Sequence, residues 1–343
     1  MSRHLTGPRD EGASPWRLCV APMMDWTDRH CRYFHRQLAP HARLYTEMIA
    51  AGAVLHGDPV RHLAHDPAER PLAVQFGGSD PAALARCAEL AEAWGYDEVD
   101  LNCGCPSPRV REGAFGVVLM REPARVAACV RAMRAATSLP VTVKCRIGVD
   151  EDDDFAFLAR FVERVAGAGC RVFLVHARKA WLRGLSPKEN REIPPLRPER
   201  VYRLKETFPE LTVVYNGGIT SPEEARAHLA HLDGVMVGRT AYREPWRLVA
   251  FERALFDPDF RPRRRTVVAA MAAYAARVAA EGVPLYAVAR HMLGLANGLP
   301  GARRFRRLLS EGARGREVPP RVLLEAWAAV RDPEEAVPFT TSS

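Results

Sequence analysis

The chain has 343 residues, 48% of them hydrophobic, with a formal charge of +8 and eight cysteines. That apolar content excludes a disordered chain. No apolar run approaches the ~20 residues needed to cross a bilayer as a helix. The cysteines form no CxxC pair, and the spacing of Cys103-Gly104-Cys105 is not that of a zinc finger. No metal site and no disulfide scaffold are expected. Cys87 falls on one helical face with Leu84, Ala88 and Ala91, and Cys129 with Val126, Val130 and Met133, so both are expected as core fillers.

The segment from Met1 to Trp16 is polar and rich in Arg, Gly, Pro and Ser. It lacks the apolar centre of a secretory signal, so residues 1–16 are expected as a disordered leader of a cytoplasmic protein. Eight short runs rich in β-branched residues follow. They are Arg17–Pro22, Leu44–Met48, Leu72–Phe76, Glu98–Asn102, Val141–Arg146, Val172–His176, Thr212–Asn216 and Gly234–Gly238. Most are nearly continuous in apolar character, as parallel strands covered on both faces are.

Helical patterns lie between them. Asp80-Pro81 and Ser221-Pro222-Glu223-Glu224 each place a capping residue before Pro at the first helical position. Asp152–Asp154 precede Phe155, Leu158, Val162 and Val165, an apolar face at helical spacing. Gly95 and Gly169 suit helix exits. Eight strand–helix alternations predict a closed (β/α)8 TIM barrel over residues 17–256. An open doubly wound sheet would need a glycine-rich dinucleotide turn after an early strand, and none is present. Pro258, Pro262 and Arg263–Arg265 mark a linker, and only helical patterns follow. A second, all-helical domain is therefore expected over 257–343. From Pro258 to Ser343, 14 Arg stand against 8 Asp or Glu, so most of the positive excess sits there. Solubility accounts for some surface charge, but enrichment on one module favours a polyanionic partner.

In such barrels the active site lies at the C-terminal ends of the strands. There the sequence places Ala21-Pro22-Met23, Gln75, Asn102-Cys103-Gly104-Cys105-Pro106, Lys144 and Arg146, His176-Ala177-Arg178, Asn216-Gly217-Gly218 and Gly238-Arg239. Glycines after strands seven and eight let backbone N–H groups approach a phosphate, although tight turns alone also use glycine. Arg239 adds a charge-assisted contact. Lys144, inside a parallel strand, requires either a buried ion pair or an anionic ligand. His176 reads equally well as a rim histidine or a functional one.

The stretches APMMDWTDRHCRYF, LYTEM, QFGGSDP, GYDEVDLNCGCPS, VTVKCRIGVD, HARKAWLRGLSPKENREIPPL, NGGI and DGVMVGRTAY span residues 21 to about 245 in order. Together they resemble the tRNA-dihydrouridine synthases, A subfamily. The resemblance implies FMN at the barrel mouth, held by Ala21, Pro22, Met23, Gln75, Lys144, His176, Asn216, Gly217, Gly218, Gly238 and Arg239. It also implies NADPH as reductant, which leaves before tRNA enters. The implied reaction is reduction of uridine to 5,6-dihydrouridine at positions 20 and 20a of the D-loop. Hydride passes from flavin N5 to C6, and Cys105 gives the proton to C5. A free thiol, with pKa ~8.5, can donate at neutral pH. Cys103 is the rival thiol and reads as a packing residue. Asn102 is expected at the uridine or the flavin, and Pro106 is expected to fix the loop.

The target base must leave its stack to reach such a site. Expected tRNA contacts are Arg178, Lys179, Arg183, Lys188 and Arg191 after strand six, with Arg303 and Arg306 on a helix that also carries Arg304 and Arg307. A solvated amphipathic helix competes for the last four. A monomer is expected. Two other readings compete: an FMN barrel acting on a small molecule such as dihydroorotate, and a non-catalytic RNA-binding barrel.

Overall fold

The computed structural model describes residues 14–108, 110, 113–315 and 318–333. Its centre is a closed barrel of eight strands in sequence order. They are β1 (Leu18–Val20), β2 (Arg43–Ala50), β3 (Leu72–Gly77), β4 (Glu98–Cys103), β5 (Val141–Arg146), β6 (Val172–His176), β7 (Thr212–Asn216) and β8 (Gly234–Val237). Every neighbouring pair is parallel, and β8 closes on β1. All eight expected strands are present, and β5, β6 and β7 have the expected bounds.

The helix signals act as expected. The Asp80 side chain accepts from Ala83 N–H, Asp154 from Phe157 N–H, and Ser221 forms a capping box with Glu224. Cys87 and Cys129 lie buried on the inner faces of Pro81–Ala93 and Pro123–Ala136. Gly95 and Gly169 have positive φ, the left-handed conformation expected past a helix end.

Side chains alternate along each strand, so one set fills the barrel. On one side the filling is apolar: Cys19, Ala21, Tyr45, Ala73, Val172, Leu174, Val214 and Met236. On the β3–β5 side it is polar. There Ala73 pairs with Glu98, Gln75 with Asp100, Asp100 with Thr142 and Asn102 with Lys144. Residues 14–16 are part of this barrel rather than a leader. Trp16 Nε1 donates to the wholly buried Glu98 at 2.7 Å, and Trp16 packs on the apolar cluster. An indole placed over a buried carboxylate gains both apolar burial and a hydrogen bond. The rest of the expected leader, residues 1–13, lies outside the described residues.

The chain divides into two compact units, 1–23 with 41–238, and 24–40 with 239–343. The sequence-based boundary at 257 therefore falls late, and the helix Arg29–Leu38 belongs to the second unit. In the second unit Asp28 caps this helix, accepting from His30 and Cys31 N–H, and also pairs with Arg290 and His291. No strand occurs after residue 256 among the described residues. No helix there is long and apolar enough to cross a membrane.

Removing one cap should cost a fixed, modest amount. Asp154→Ala is expected to lower unfolding free energy by about 1 kcal/mol, read from the shift in a urea unfolding curve.

Candidate active site

The polar side of the barrel is a connected hydrogen-bond network. Three hydrogen-bond donors converge on Glu98, Tyr45 Oη at 2.6 Å, Trp16 Nε1 at 2.7 Å and Thr142 Oγ1 at 2.8 Å, and Arg43 Nη1 pairs with it by charge at 3.2 Å. Thr142 Oγ1 also lies 2.8 Å from Asp100 Oδ1. A hydroxyl has one proton, so it can donate to only one of these carboxyls. The second contact is favourable when that carboxyl is protonated and donates back. Burial pushes the Asp100 carboxyl well above the ordinary carboxylate range. The bond from Gln75 opposes this, and nearby Glu98 adds to it. Asp100 therefore takes up a proton more readily than an ordinary carboxyl does.

From Asp100 the network climbs to the mouth. Gln75 Nε2 donates to Asp100 Oδ2 at 2.6 Å, and Asn102 Nδ2 donates to Gln75 Oε1 at 2.8 Å. Asn102 Oδ1 then accepts from the N–H groups of Gly104 at 3.1 Å and Cys105 at 2.9 Å. The Cys105 carbonyl is held from the other side by Val117 N–H at 3.0 Å. Gly116 makes that approach possible. Its φ is +74°, and a Cβ there would come 2.6 Å from the Cys105 oxygen.

Of the eight free cysteines, Cys105 is the only one not buried. Burial of much of its surroundings pushes its thiol pKa up, opposed by the Ser107 N–H and then by Arg146. The thiol therefore stays protonated at neutral pH and can act as a donor. Cys103 is wholly buried, with a pKa pushed far up by burial. It alternates with the inward Asn102 and so faces the covering helices, as a packing residue does.

Lys144 is half-buried, and its Nζ donates to Asn216 Oδ1 at 3.0 Å. Asn216 is in turn fixed by its own bond to the Met236 carbonyl at 2.9 Å. Burial pushes the Lys144 pKa down, opposed by the attraction of Asp100. No carboxylate among the described residues lies within ion-pairing distance of this ammonium. The contact shown for the Lys144 ammonium is therefore with the Asn216 amide rather than with a carboxylate.

The expected cofactor residues divide by environment. Ala21 and Met23 follow β1 and pack at the barrel core, with Pro22 between them. His176 ends β6 beside Asn216, and its ring lies 3.3 Å from where a Cβ on Gly217 would be. Gly217 and Gly218 have φ of +137° and +73°, and a Cβ on either would strike Leu196. Both glycines thus have a steric reason within the chain itself. Gly238 does not, since a Cβ there would meet only Ala21 at 3.9 Å. Arg239 opens the helix Arg239–Arg243, in the second unit. Gln75 and Asn102 are 1% and 7% exposed, and each amide nitrogen carries a second N–H beyond the bond given above. Spare buried donors, an unpaired ammonium and an open glycine fit an anionic cofactor with carbonyl acceptors.

The basic residues after β6 also separate. Arg178 donates to the carbonyls of Glu192 and Pro194, and so braces the loop. Lys179 bonds the Asp150 carbonyl, pairs with Asp153 at 3.1 Å and lies over the Trp181 ring. Arg183, Lys188 and Arg191 are exposed. So are Arg303, Arg304, Arg306 and Arg307 on the helix Ala302–Gly312, whose Phe305 and Leu309 are buried. Arg306 reaches Asn297 at 3.0 Å.

Several residues that shape the site had no role from sequence. Arg146 donates to the Gly104 carbonyl at 2.8 Å and to those of Lys179 and Asn190 at 3.1 Å each. Wholly buried Asn190 accepts from Trp181 N–H and donates to the carbonyls of Trp181, Leu185 and Ser186. Glu98 and Asp100 gave a usable signal. They alternate with Val99, Leu101 and Cys103, which is a period-2 pattern with its polar face inward.

The sequence model of Dihydrouridine synthase (Dus) matches residues 19–330. The chain belongs to the dihydrouridine synthase family. It is thus an oxidoreductase, as the resemblance implied. It is 58% identical over 309 residues to a tRNA-dihydrouridine(20/20a) synthase of Xanthomonas axonopodis pv. citri, covering 90% of this chain and 92% of that one. It is 56% identical over 320 residues to the Escherichia coli (strain K12) protein of the same name, covering 92% of each. Among solved structures, morphinone reductase is similar at a TM-score of 0.50 and 12% identity, over 68% of this chain and 85% of that one. That likeness concerns the barrel fold alone.

Asn190→Ala should free the loop after β6. The expected result is rapid cleavage between residues 178 and 194 in limited proteolysis, with about 2 kcal/mol less stability.

Proposed function

We propose that this family member reduces uridines 20 and 20a in the D-loop of tRNA to 5,6-dihydrouridine, with FMN at the barrel mouth and NADPH as reductant. The observation that carries this reading is the state of Cys105: a protonated thiol, alone among eight in not being buried, on a loop fixed from both sides. The names of the two bacterial relatives supply the nucleoside and its positions.

When bound, the flavin supplies a hydride for C6 of the pyrimidine. Each remaining task falls to a residue of this chain. Lys144, held by Asn216, places a positive charge where an anionic ring is stabilised. Gln75 and Asn102 offer their second N–H groups to carbonyl oxygens. Gly238 leaves room for a phosphate, with Gly217, Gly218 and Arg239 beside it in sequence. Ala21, Pro22, Met23 and His176 complete the set that would hold the cofactor. Hydride addition at C6 leaves negative charge on the C5 and O4 side of the base. The Cys105 thiol gives its proton to C5, which forms the C5–H bond and leaves a thiolate. Arg146 and Lys144 attract that thiolate electrostatically.

A stacked base cannot reach a thiol at the barrel mouth, so the uridine enters extruded. Exposed Arg183, Lys188 and Arg191 present charge to the RNA backbone, and Arg303 and Arg306 do so in the helical unit. Arg178 and Lys179 serve instead by shaping the loop. Mass mapping of tRNA from a deletion strain, with and without this gene restored, tests the substrate. Uridines 20 and 20a should each gain two hydrogens on restoration, and free uridine or orotate turned over as fast as tRNA would point to a small-molecule enzyme.

Cys105→Ala should keep its flavin and its reduction by NADPH, yet lose dihydrouridine formation by about 100-fold or more. Cys103→Ala should stay active. Because burial raises the Cys105 pKa, the native rate should persist through neutral pH and fall only as alkali removes the thiol proton. A pH profile of single-turnover tRNA reduction measures this.

Charge reversal in Arg303→Glu with Arg306→Glu should weaken tRNA binding roughly tenfold or more at low salt, with flavin content unchanged. Filter binding across a salt series measures it.

A further inference from the structure

We infer that Asp100 is a positioning residue for the proton donor: its Oδ2 fixes the direction of the Gln75 and Asn102 amides and thereby holds the Cys105 loop. The inference rests on the reading of Cys105 as proton donor, and it concerns a residue that touches neither the base nor the cofactor in that reading.

The argument is one of hydrogen-bond polarity. Asn and Gln amides can each face two ways, because oxygen and nitrogen are nearly the same size. A chain of two such amides has a defined direction only if something at an end fixes it. At the loop end, the N–H groups of Gly104 and Cys105 can only donate, so they require Asn102 Oδ1. Asn102 Nδ2 is then directed at Gln75 Oε1, and Gln75 Nε2 at Asp100 Oδ2. At the other end Asp100 must accept. It does so in either protonation state, because a proton on the Oδ1 side, toward Thr142, leaves Oδ2 free to accept. Donor-only and acceptor-only termini agree on one arrangement. Reversing either amide would set N–H against N–H and oxygen against oxygen in a site from which water is excluded.

The consequence reaches the reacting group. Asn102 Oδ1 is the only acceptor shown for the Cys105 N–H, and Val117 holds the carbonyl of the same residue. Without an acceptor at position 100, Gln75 loses its reason to face one way, and Asn102 loses part of its hold on the loop. The spare N–H groups of both amides are aimed by the same polarity.

The reactivity of Cys105 reports this directly, because the other seven cysteines are buried. Flavin-bound protein is treated with iodoacetamide, and alkylation at each cysteine is followed by mass spectrometry. Asp100→Ala removes the acceptor. Gln75→Met cuts the chain without adding charge, and carries the test if the first variant does not fold. Asp100→Asn is the conservative variant: its oxygen can still accept from Gln75, and its amide N–H can donate to Thr142 as the protonated carboxyl does. Cys105 alkylation should rise about fivefold or more in Asp100→Ala and Gln75→Met, and stay within about twofold of native in Asp100→Asn. Buried cysteines that stay unreactive show that the rise is local. Native rates in Asp100→Ala and Gln75→Met would overturn the inference, and so would Asp100→Asn behaving like Asp100→Ala. The activity of Cys105→Ala decides the proton-donor reading separately, whatever the alkylation rates are.

Discussion

The side-chain oxygen of Asn102 holds the mouth of this barrel together. β4 ends at Cys103, and the chain must turn outward there while presenting a thiol. The two N–H groups just past the strand have no ladder partner left. Asn102 takes both of them, at 3.1 and 2.9 Å. Two N–H groups near the barrel interior would otherwise be unsatisfied, at about 1–3 kcal/mol each. The same contact that satisfies the backbone therefore fixes where the sulfur sits. A longer side chain would not close this turn, and an aspartate could not donate onward to Gln75.

That contact is stable because the barrel interior beneath it is uneven. Toward β6, β7, β8 and β1 it is filled by small and branched apolar groups. Toward β3, β4 and β5 it holds two buried carboxyls, a threonine, a glutamine and an asparagine, all hydrogen-bonded. A polar network of this size is favourable only when complete. Trp16 and Tyr45 complete it at the base by donating to Glu98, and Arg43 pairs with Glu98 by charge. This explains why a segment with the composition of a leader, residues 14–16, is folded against the barrel. Its indole is needed by a carboxylate that no other residue at that end fully satisfies.

The sequence carried the barrel clearly, for a physical reason. Strands covered on both faces must be apolar throughout, and their helices must start with caps, so β5, β6 and β7 could be delimited to the residue. The rim positions were legible too, because the fold puts strand ends at the site. What stayed hidden were partnerships. Lys144 read as half of an ion pair or as a cofactor contact, and only coordinates give it an amide partner, Asn216, across the barrel. Arg178 and Lys179 looked like their neighbours Arg183 and Lys188, yet Arg178 bonds carbonyls within the loop and Lys179 reaches the Asp150 carbonyl and Asp153 in the loop after β5. Composition identifies a basic loop but not which of its cations are already in use.

Arg146 gives these partnerships a mechanical meaning. Its one guanidinium joins the Gly104 carbonyl, on the thiol loop, to the carbonyls of Lys179 and Asn190, on the long loop after β6. Asn190 in turn ties Trp181, Leu185 and Ser186 into that loop, and Asp150 holds Leu182 N–H from the loop after β5. Three rim loops are thus bonded through the buried side chains of Arg146 and Asn190, with the Lys179–Asp153 ion pair and the Asp150–Leu182 bond added between the loops after β5 and β6. A planar guanidinium suits this role, because its donors point in fixed directions and it stays charged when buried. In the proposed reaction, an extruded base arriving at such a rim meets a thiol whose own backbone N–H and carbonyl are already held. On the proposed reading of Cys105, the entropy of placing the donor is lost on folding rather than at each turnover, which is the advantage of orientation in a proton transfer.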